Sequence, residues 1–366
     1  MKALRLALAI IFVGFGVALT YHLFENAVHG FIDFVWYDTF NTDQNRWIII
    51  PLVITFSFMF FGLQHWLDAK SENAEEHGLG EMPDPTIANF LKVLMIGFFS
   101  LVAGATLGPE AILVPSCMIL GAYVGKKMFR KQKQIVQLLS AAGIIALFTA
   151  FFNSFTVGVL SLFLVLAQTK VKFKPILLVT AVLAAGSASI ALNFLDSDAY
   201  VQLPSYNWML NLNTVIFCFV LILAGFLCVQ LVCYAHDLTD KVTSKPLKKH
   251  TWIMRSIVAS VGLIFLYLIG GPLVEFTGNK SIAPMFEQAS SLGLVGLVWI
   301  LIVKIIVIAW SKAIGYRGGM IFPTIFLATV LVAITQLYVN DLNGIYGVIA
   351  VIVGAFVANR KTRILV

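Results

Sequence analysis

The chain has 366 residues, of which 60% are hydrophobic and 12% charged, with a mean hydropathy of +0.92. A soluble domain of this size needs about twice that charged fraction to keep its surface hydrated, which excludes a soluble enzyme. The net charge of +7 is no nucleic-acid footprint, because the basic residues gather in short blocks between apolar runs instead of covering a face.

In chain order, the first apolar run, Arg5 to about Leu23, reads as a span. It lacks a small-residue cleavage site and many further spans follow it. Leu91–Leu107, Val215–Tyr234 and Leu292–Trp310 are also long enough to cross ~30 Å of hydrocarbon, which takes roughly 20 residues. About ten apolar segments are expected in all. The basic blocks are Lys126, Lys127, Arg130, Lys131 and Lys133, then Lys170, Lys172 and Lys174, then Lys241, Lys245, Lys248, Lys249 and Arg255. Basic loops stay in the cytoplasm. This predicts the N-terminus, 68–86, 126–134 and 239–252 inside, with 25–46 and 195–207 outside. The expected fold class is all-α, a multi-pass integral protein of the cell membrane whose surface partner is lipid. Lys92, Lys304 and Lys312 are expected to snorkel to span ends. Cys117, Cys218, Cys228 and Cys233 lie in apolar runs without metal-ligand spacing and read as small buried hydrophobes. The six histidines form no ligand pattern, and no cofactor or metal is expected. Gly121-Ala-Tyr-Val-Gly125-Lys126 misses the phosphate-loop spacing and reads as close helix packing.

Two segments are broken by glycine in the same way. One is Gly104-Ala-Thr-Leu-Gly108-Pro109-Glu110-Ala111-Ile112, and the other is Gly315-Tyr-Arg-Gly318-Gly319-Met320-Ile321-Phe322-Pro323. At a constant offset of 211 (315 − 104 and 319 − 108), Gly104 pairs with Gly315 and Gly108 with Gly319. Glycine-broken helices at matching places in two halves mark a repeat transporter with its site between the halves. Gly108 suits an N-cap and Pro109 a first helical position. The N–H groups of Glu110, Ala111 and Ile112 are then left without helical partners and form an anion site. Gly318, Gly319, Met320, Ile321 and Phe322 can do the same from the second break. Glu110 is the lone carboxylate between Thr86 and Leu195. A charge at that depth is by default functional, and its carboxylate could occupy the anion site as a tethered substitute for the ion. The alternative is a carboxylate that only complements a helix dipole.

These motifs resemble those of the CLC family of chloride channels and transporters. Leu107-Gly-Pro-Glu110-Ala is similar to the family's Gly-Arg/Lys-Glu-Gly-Pro motif, in the Gly-Pro-Glu-Ala form of a divergent, mostly bacterial branch. Gly315 to Pro323 resembles its Gly-Gly-x-Phe-x-Pro motif. Ala141-Ala-Gly143 through Phe152-Asn153-Ser154-Phe155 to Gly158 resembles its Ala-Ala-Gly…Phe-Asn-Ala-Pro segment. All three fall in order over residues 78–366. The resemblance implies an inverted-repeat helical bundle, a homodimer, and transport of chloride or another small anion. It implies that Glu110 is the gating residue and that the N–H groups of Met320 and Ile321 touch the anion. Three departures stand out. Leu79, in Gly78-Leu-Gly80-Glu-Met-Pro83, replaces the serine whose hydroxyl binds the central anion. The stretch Leu162–Leu166 lacks the inner glutamate of the proton-coupled members. The chain ends just after Asn359, so residues 1–240 are expected to form the first repeat half and 241–366 a second half cut short at the C-terminus. The expected function is small-anion transport through a Glu110-gated pore. The alternatives are proton-coupled exchange of chloride or fluoride, and a homologue that no longer transports. No enzyme activity is expected, because the spans hold no Ser/His pair, metal cluster or paired acids.

Overall fold

A computed structural model describes residues 2–68, 85–130, 132–169, 174–201, 211–247, 251–339, 342 and 344–362. Among these residues twelve α-helices and no strand occur: α1 (Lys2–Ile32), α2 (Ile49–Asp68), α3 (Ile87–Val102), α4 (Glu110–Phe129), α5 (Lys133–Phe152), α6 (Phe155–Thr169), α7 (Pro175–Phe194), α8 (Leu212–Leu247), α9 (Trp252–Gly270), α10 (Ile282–Ile314), α11 (Ile321–Gln336) and α12 (Gly344–Thr362). Eight helical stretches are long and apolar enough to cross a membrane, and four apolar helices are shorter. A helix satisfies its own backbone inside hydrocarbon, which is why so apolar a chain folds this way.

The expected outer loop over 25–46 is a loop only in part. Helix α1 continues to Ile32 and passes into a π-helical turn, Asp33–Thr39. The extension is held by Glu25 and His29, whose Oε2 and Nε2 lie 3.0 Å apart one turn along the helix. The helix thus runs past the end of the apolar run Arg5–Leu23. A helix can carry an acid and a base through the interface when they pair at i, i+4.

The chain falls into two compact units. The first comprises residues 1–33, 67–98 and 111–201. Its helices approach through small residues. A side chain at Gly121 would strike the carbonyl of Leu139, and one at Gly143 the carbonyl of Cys117. Gly125 rests against Val136, so the Gly121–Gly125 run is packing surface, as its spacing suggests. Asn153 closes α5 in the left-handed region (φ 43°), a conformation Asn tolerates, and α6 begins two residues later.

The second unit comprises residues 34–66, 99–110 and 202–366. Helices α8 and α12 meet backbone to backbone, with Gly225 at the Val351 carbonyl and Gly354 at the Ile222 carbonyl. Close approach through glycine is the usual way membrane helices gain contact, since lipid offers no hydrophobic drive between them. Helix α10 is interrupted at Gly293 (φ 61°, ψ −171°), a backbone state open to glycine and costly for other residues. All four cysteines are free thiols.

Candidate functional site

The two glycine-broken segments lie together in the second unit and mirror each other bond for bond. Gly104 and Gly315 both take positive φ, 92° and 100°, and each stops a helix. The N–H of Gly104 donates to Leu101 O (3.1 Å) and that of Ala105 to Ser100 O (3.3 Å). The N–H of Gly315 donates to Lys312 O and that of Tyr316 to Ser311 O, both at 3.1 Å. Every partner is displaced by the same 211 positions. The contacts between the segments are reciprocal too. Arg317 N–H donates to Ser100 Oγ (2.8 Å) while Thr106 N–H donates to Ser311 Oγ (3.2 Å). Gly108 N–H donates to Gly319 O (2.8 Å) and Gly319 N–H to Gly108 O (2.7 Å). When residue i meets j as j meets i, the local relation is two-fold. The weak repeat in the sequence is therefore a real two-fold at this point.

Helices α4 and α11 begin on that axis, at Glu110 and Ile321 (321 − 110 = 211). Pro109 thus stands immediately before α4, one position short of the expected first helical place. The Glu110 side chain breaks the symmetry. It is 3% exposed, and its Oε1 accepts the Ile321 N–H at 2.5 Å. Its own N–H and that of Phe322 are also directed at the carboxylate, and Lys312 acts on it electrostatically. Oε2 is buried with no hydrogen-bond partner among the described residues. A side chain on Gly108 or Gly319 would meet the Glu110 side chain, which would have to move aside. The start of a helix offers bare N–H groups and the positive end of its dipole. Here the Glu110 side chain fills such a start.

The segment before Glu110 is held from one side by the connection between α9 and α10. The Tyr267 hydroxyl donates to Gly104 O and accepts Phe276 N–H at 2.7 Å. The Thr277 hydroxyl donates to Leu107 O at 2.7 Å. Lys304 is not a snorkelling residue. It is fully buried, and its ammonium donates to the carbonyls of Val274 (3.0 Å), Glu275 (3.3 Å) and Phe276 (2.9 Å). Three carbonyl dipoles and the Phe326 ring, 4.6 Å away, replace the water that snorkelling would have supplied.

Glu275 sits in this connection, 2% exposed, with Oε1 2.5 Å from Arg46 Nη1 and Oε2 buried with no hydrogen-bond partner among the described residues. Burial carries its pKa up to about 7 against the opposing pull of Arg46. A folded pKa above the ordinary carboxylate value means that the folded state holds the proton more tightly. The associated stability is present below the ordinary value and is lost as pH rises through about 7. We expect the wild type to lose roughly 3 kcal/mol relative to Glu275→Gln across that window. Thermal unfolding of both proteins in detergent at pH 4.5 and pH 8 checks this, and parallel curves would contradict it.

The structure brings together Gly108, Pro109, Glu110, Gly318, Gly319, Ile321 and Phe322. Gly318 packs on Leu107 and the Gly108 carbonyl. Met320 is the residue before α11 (φ −113°), and the amides at the carboxylate are those of Glu110 itself, Ile321 and Phe322. Ala111 and Ile112 continue α4 in the first unit, Ala111 exposed and Ile112 buried beside Gly97. Leu79 lies outside the described residues. The sequence reading passed over Ser100, Ser311, Tyr267 and Tyr316, although adding the offset of 211 to Ser100 would have pointed to Ser311.

Residues 69–359 match the family model described as voltage gated chloride channel. No curated protein matches the chain. Among solved structures, a slow cyanobacterial Cl−/H+ antiporter aligns over 98% of this chain and 95% of its own, with 16% identity and a TM-score of 0.71. A CLC-type fluoride/proton antiporter aligns over 97% and 87%, with 14% identity and a TM-score of 0.70. A eukaryotic CLC transporter aligns over 98% and 72%, with 15% identity and a TM-score of 0.67.

Proposed function

This chain belongs to the voltage-gated chloride channel family, a family of transmembrane anion transporters and channels, and we propose that it moves chloride past Glu110 at the paired starts of α4 and α11. The observation that carries this reading is the buried Glu110 carboxylate held by the Ile321 N–H. It is a tethered anion lying where a free one would bind, and protonation or displacement of the side chain empties the place. Gly108 and Pro109 form one wall of the site, and Gly318, Gly319, Met320, Ile321 and Phe322 the other. Backbone dipoles bind a small anion without the fixed full charge that would hold it too long. The two repeat halves are residues 1–240 and 241–366. The protein works as a homodimer in the cell membrane, its N-terminus in the cytoplasm, one route per subunit.

Passive movement is favoured over proton exchange because Leu162–Leu166 on α6 is wholly apolar. The exchange reading keeps its support from the solved relatives, two of which are proton antiporters. Chloride, fluoride and nitrate efflux from liposomes carrying the purified chain, with proton movement recorded together, separates the two. Efflux without proton uptake is the expected result. Stoichiometric proton movement would establish exchange, and no flux of any of the three anions from folded protein would remove the transport reading.

A further inference from the structure

The connection between α9 and α10 is fixed at more points than a plain turn requires. Gly271 takes φ 76°, as glycine readily does, but Phe276 also lies in the left-handed region, at φ 48°. A bulky residue there is strained, and it persists only where its surroundings over-determine it. Three groups do so. The Tyr267 hydroxyl accepts the Phe276 N–H at 2.7 Å. The Lys304 ammonium donates to Phe276 O at 2.9 Å and to the two carbonyls before it. Trp36 stands edge-on to the Phe276 ring, with centroids 4.9 Å apart. Arg46 then ties the connection across, donating from Nη1 to Glu275 Oε1 and from Nη2 to Tyr267 O (2.9 Å).

What this stiff turn grips is the segment that carries Glu110. The Tyr267 hydroxyl donates to Gly104 O, and Thr106 Oγ1 lies 3.4 Å from it. Thr277, next after the strained residue, donates its hydroxyl to Leu107 O at 2.7 Å. Tyr267, Thr277 and Leu107 are all buried, which makes an unmade bond at either carbonyl costly. Gly104 and Leu107 bracket the stretch between the end of α3 and the start of α4, and Leu107 is three residues before Glu110. The two-fold gives both breaks the same backbone, yet the mate of Glu110 is Ile321 (110 + 211). Only one of the two side chains at the helix starts has to be aimed, and the turn grips the segment on that side.

We propose that Tyr267 and Thr277 are positioning residues for Glu110, fixing the Gly104–Leu107 segment so that the carboxylate reaches the amides of Ile321 and Phe322 from one defined start. The proposal rests on the reading of Glu110 as the group that competes with the transported anion. A tethered competitor acts through its effective concentration, which the length and stiffness of the tether set. Removing either hydroxyl loosens the tether at its root, and chloride then wins the place more often. Neither Tyr267→Phe nor Thr277→Val changes a charge. Arg46, Glu275 and Lys304 around the turn, and Lys312, which acts on Glu110 electrostatically, stay as they are.

Chloride efflux from liposomes carrying the full chain tests this, with thermal unfolding of each preparation used to express rates per folded protein. Tyr267→Phe and Thr277→Val should each raise efflux at pH 7.5 about fivefold, within the worth of one neutral hydrogen bond. At pH 4.5, where acid has already removed the competing charge, both should match the wild type. Thr277→Ser keeps the hydroxyl and should keep the wild-type rate at both pH values. In the Glu110→Gln background neither variant should change efflux, because no carboxylate is left to position. Tyr267→Phe also removes the acceptor of the Phe276 N–H, so where it fails to fold Thr277→Val decides alone. Unchanged rates, or a change of equal size at both pH values and in both backgrounds, would overturn the proposal and leave the Glu110 pathway standing, provided the Glu110→Gln parent moves chloride. A folded parent that moves none would take both down.

Discussion

Replacing Glu110 with glutamine is expected to raise chloride efflux at pH 7.5 by at least about tenfold, the equivalent of one charge-assisted hydrogen bond, and to flatten the response to acid. The reasoning starts from what the side chain does in the folded protein. Its Oε1 takes the Ile321 N–H at 2.5 Å, and the Phe322 N–H is directed at the same group. An ion must compete for these donors with a carboxylate tethered beside them, whose effective concentration is in the millimolar range or above. Glutamine keeps the shape but not the charge, so it competes poorly with a free anion. In the wild type, acid does the same thing by protonation. Efflux at pH 4.5 should therefore approach that of Glu110→Gln, and the variant should change little between the two pH values. Paired efflux traces at pH 7.5 and 4.5 read this directly. Equal rates and equal pH dependence in the two proteins would mean that the carboxylate merely complements the dipole of α4, the alternative that spacing alone leaves open.

How much of this was legible beforehand differs between the parts of the molecule. The membrane architecture was plain, because length and apolarity are local properties and hydrocarbon imposes them on every span. The paired breaks were also visible, since glycine at a turn with φ near 92° or 100° is a demand that the sequence must meet at that position. Other features depend on partners far away in the chain. Ser100 and Ser311 look like ordinary small residues in apolar helices, where serine usually bonds to its own preceding turn. Only folding shows that each instead caps the other segment. Lys304 is the same case in reverse. Its surroundings in sequence predict a lysine seeking water, but three carbonyls about 30 residues upstream supply the dipoles. The length of α1 was hidden too, because Glu25 and His29 look like loop residues until they are paired along a helix. The candidate site was thus readable where it is made of backbone, and hidden where it is made of side chains meeting across the chain.

The second large effect is expected from Gly319→Ala. The three atoms nearest to an added methyl are all in the Glu110 side chain, its Cγ, Cδ and Oε1. The variant should therefore behave as an expulsion of the carboxylate, with a leak of chloride at pH 7.5 like that of Glu110→Gln. It should also lose about 1–3 kcal/mol of stability, because a packed interior resents added volume. The cause can be isolated by a double-mutant cycle. In a Glu110→Ala background the obstructing atoms are gone, and the cost of Gly319→Ala should fall below about 0.5 kcal/mol, the scatter expected of independent sites. Gly318→Ala supplies the control. Its methyl would meet Leu107 and the Gly108 carbonyl, which Glu110→Ala does not remove, so that cost should persist in both backgrounds. If Gly319→Ala were equally costly with and without the Glu110 side chain, the clash would lie in the reciprocal Gly108–Gly319 backbone pair. The carboxylate would then be a passenger at the two-fold, not the group that closes it.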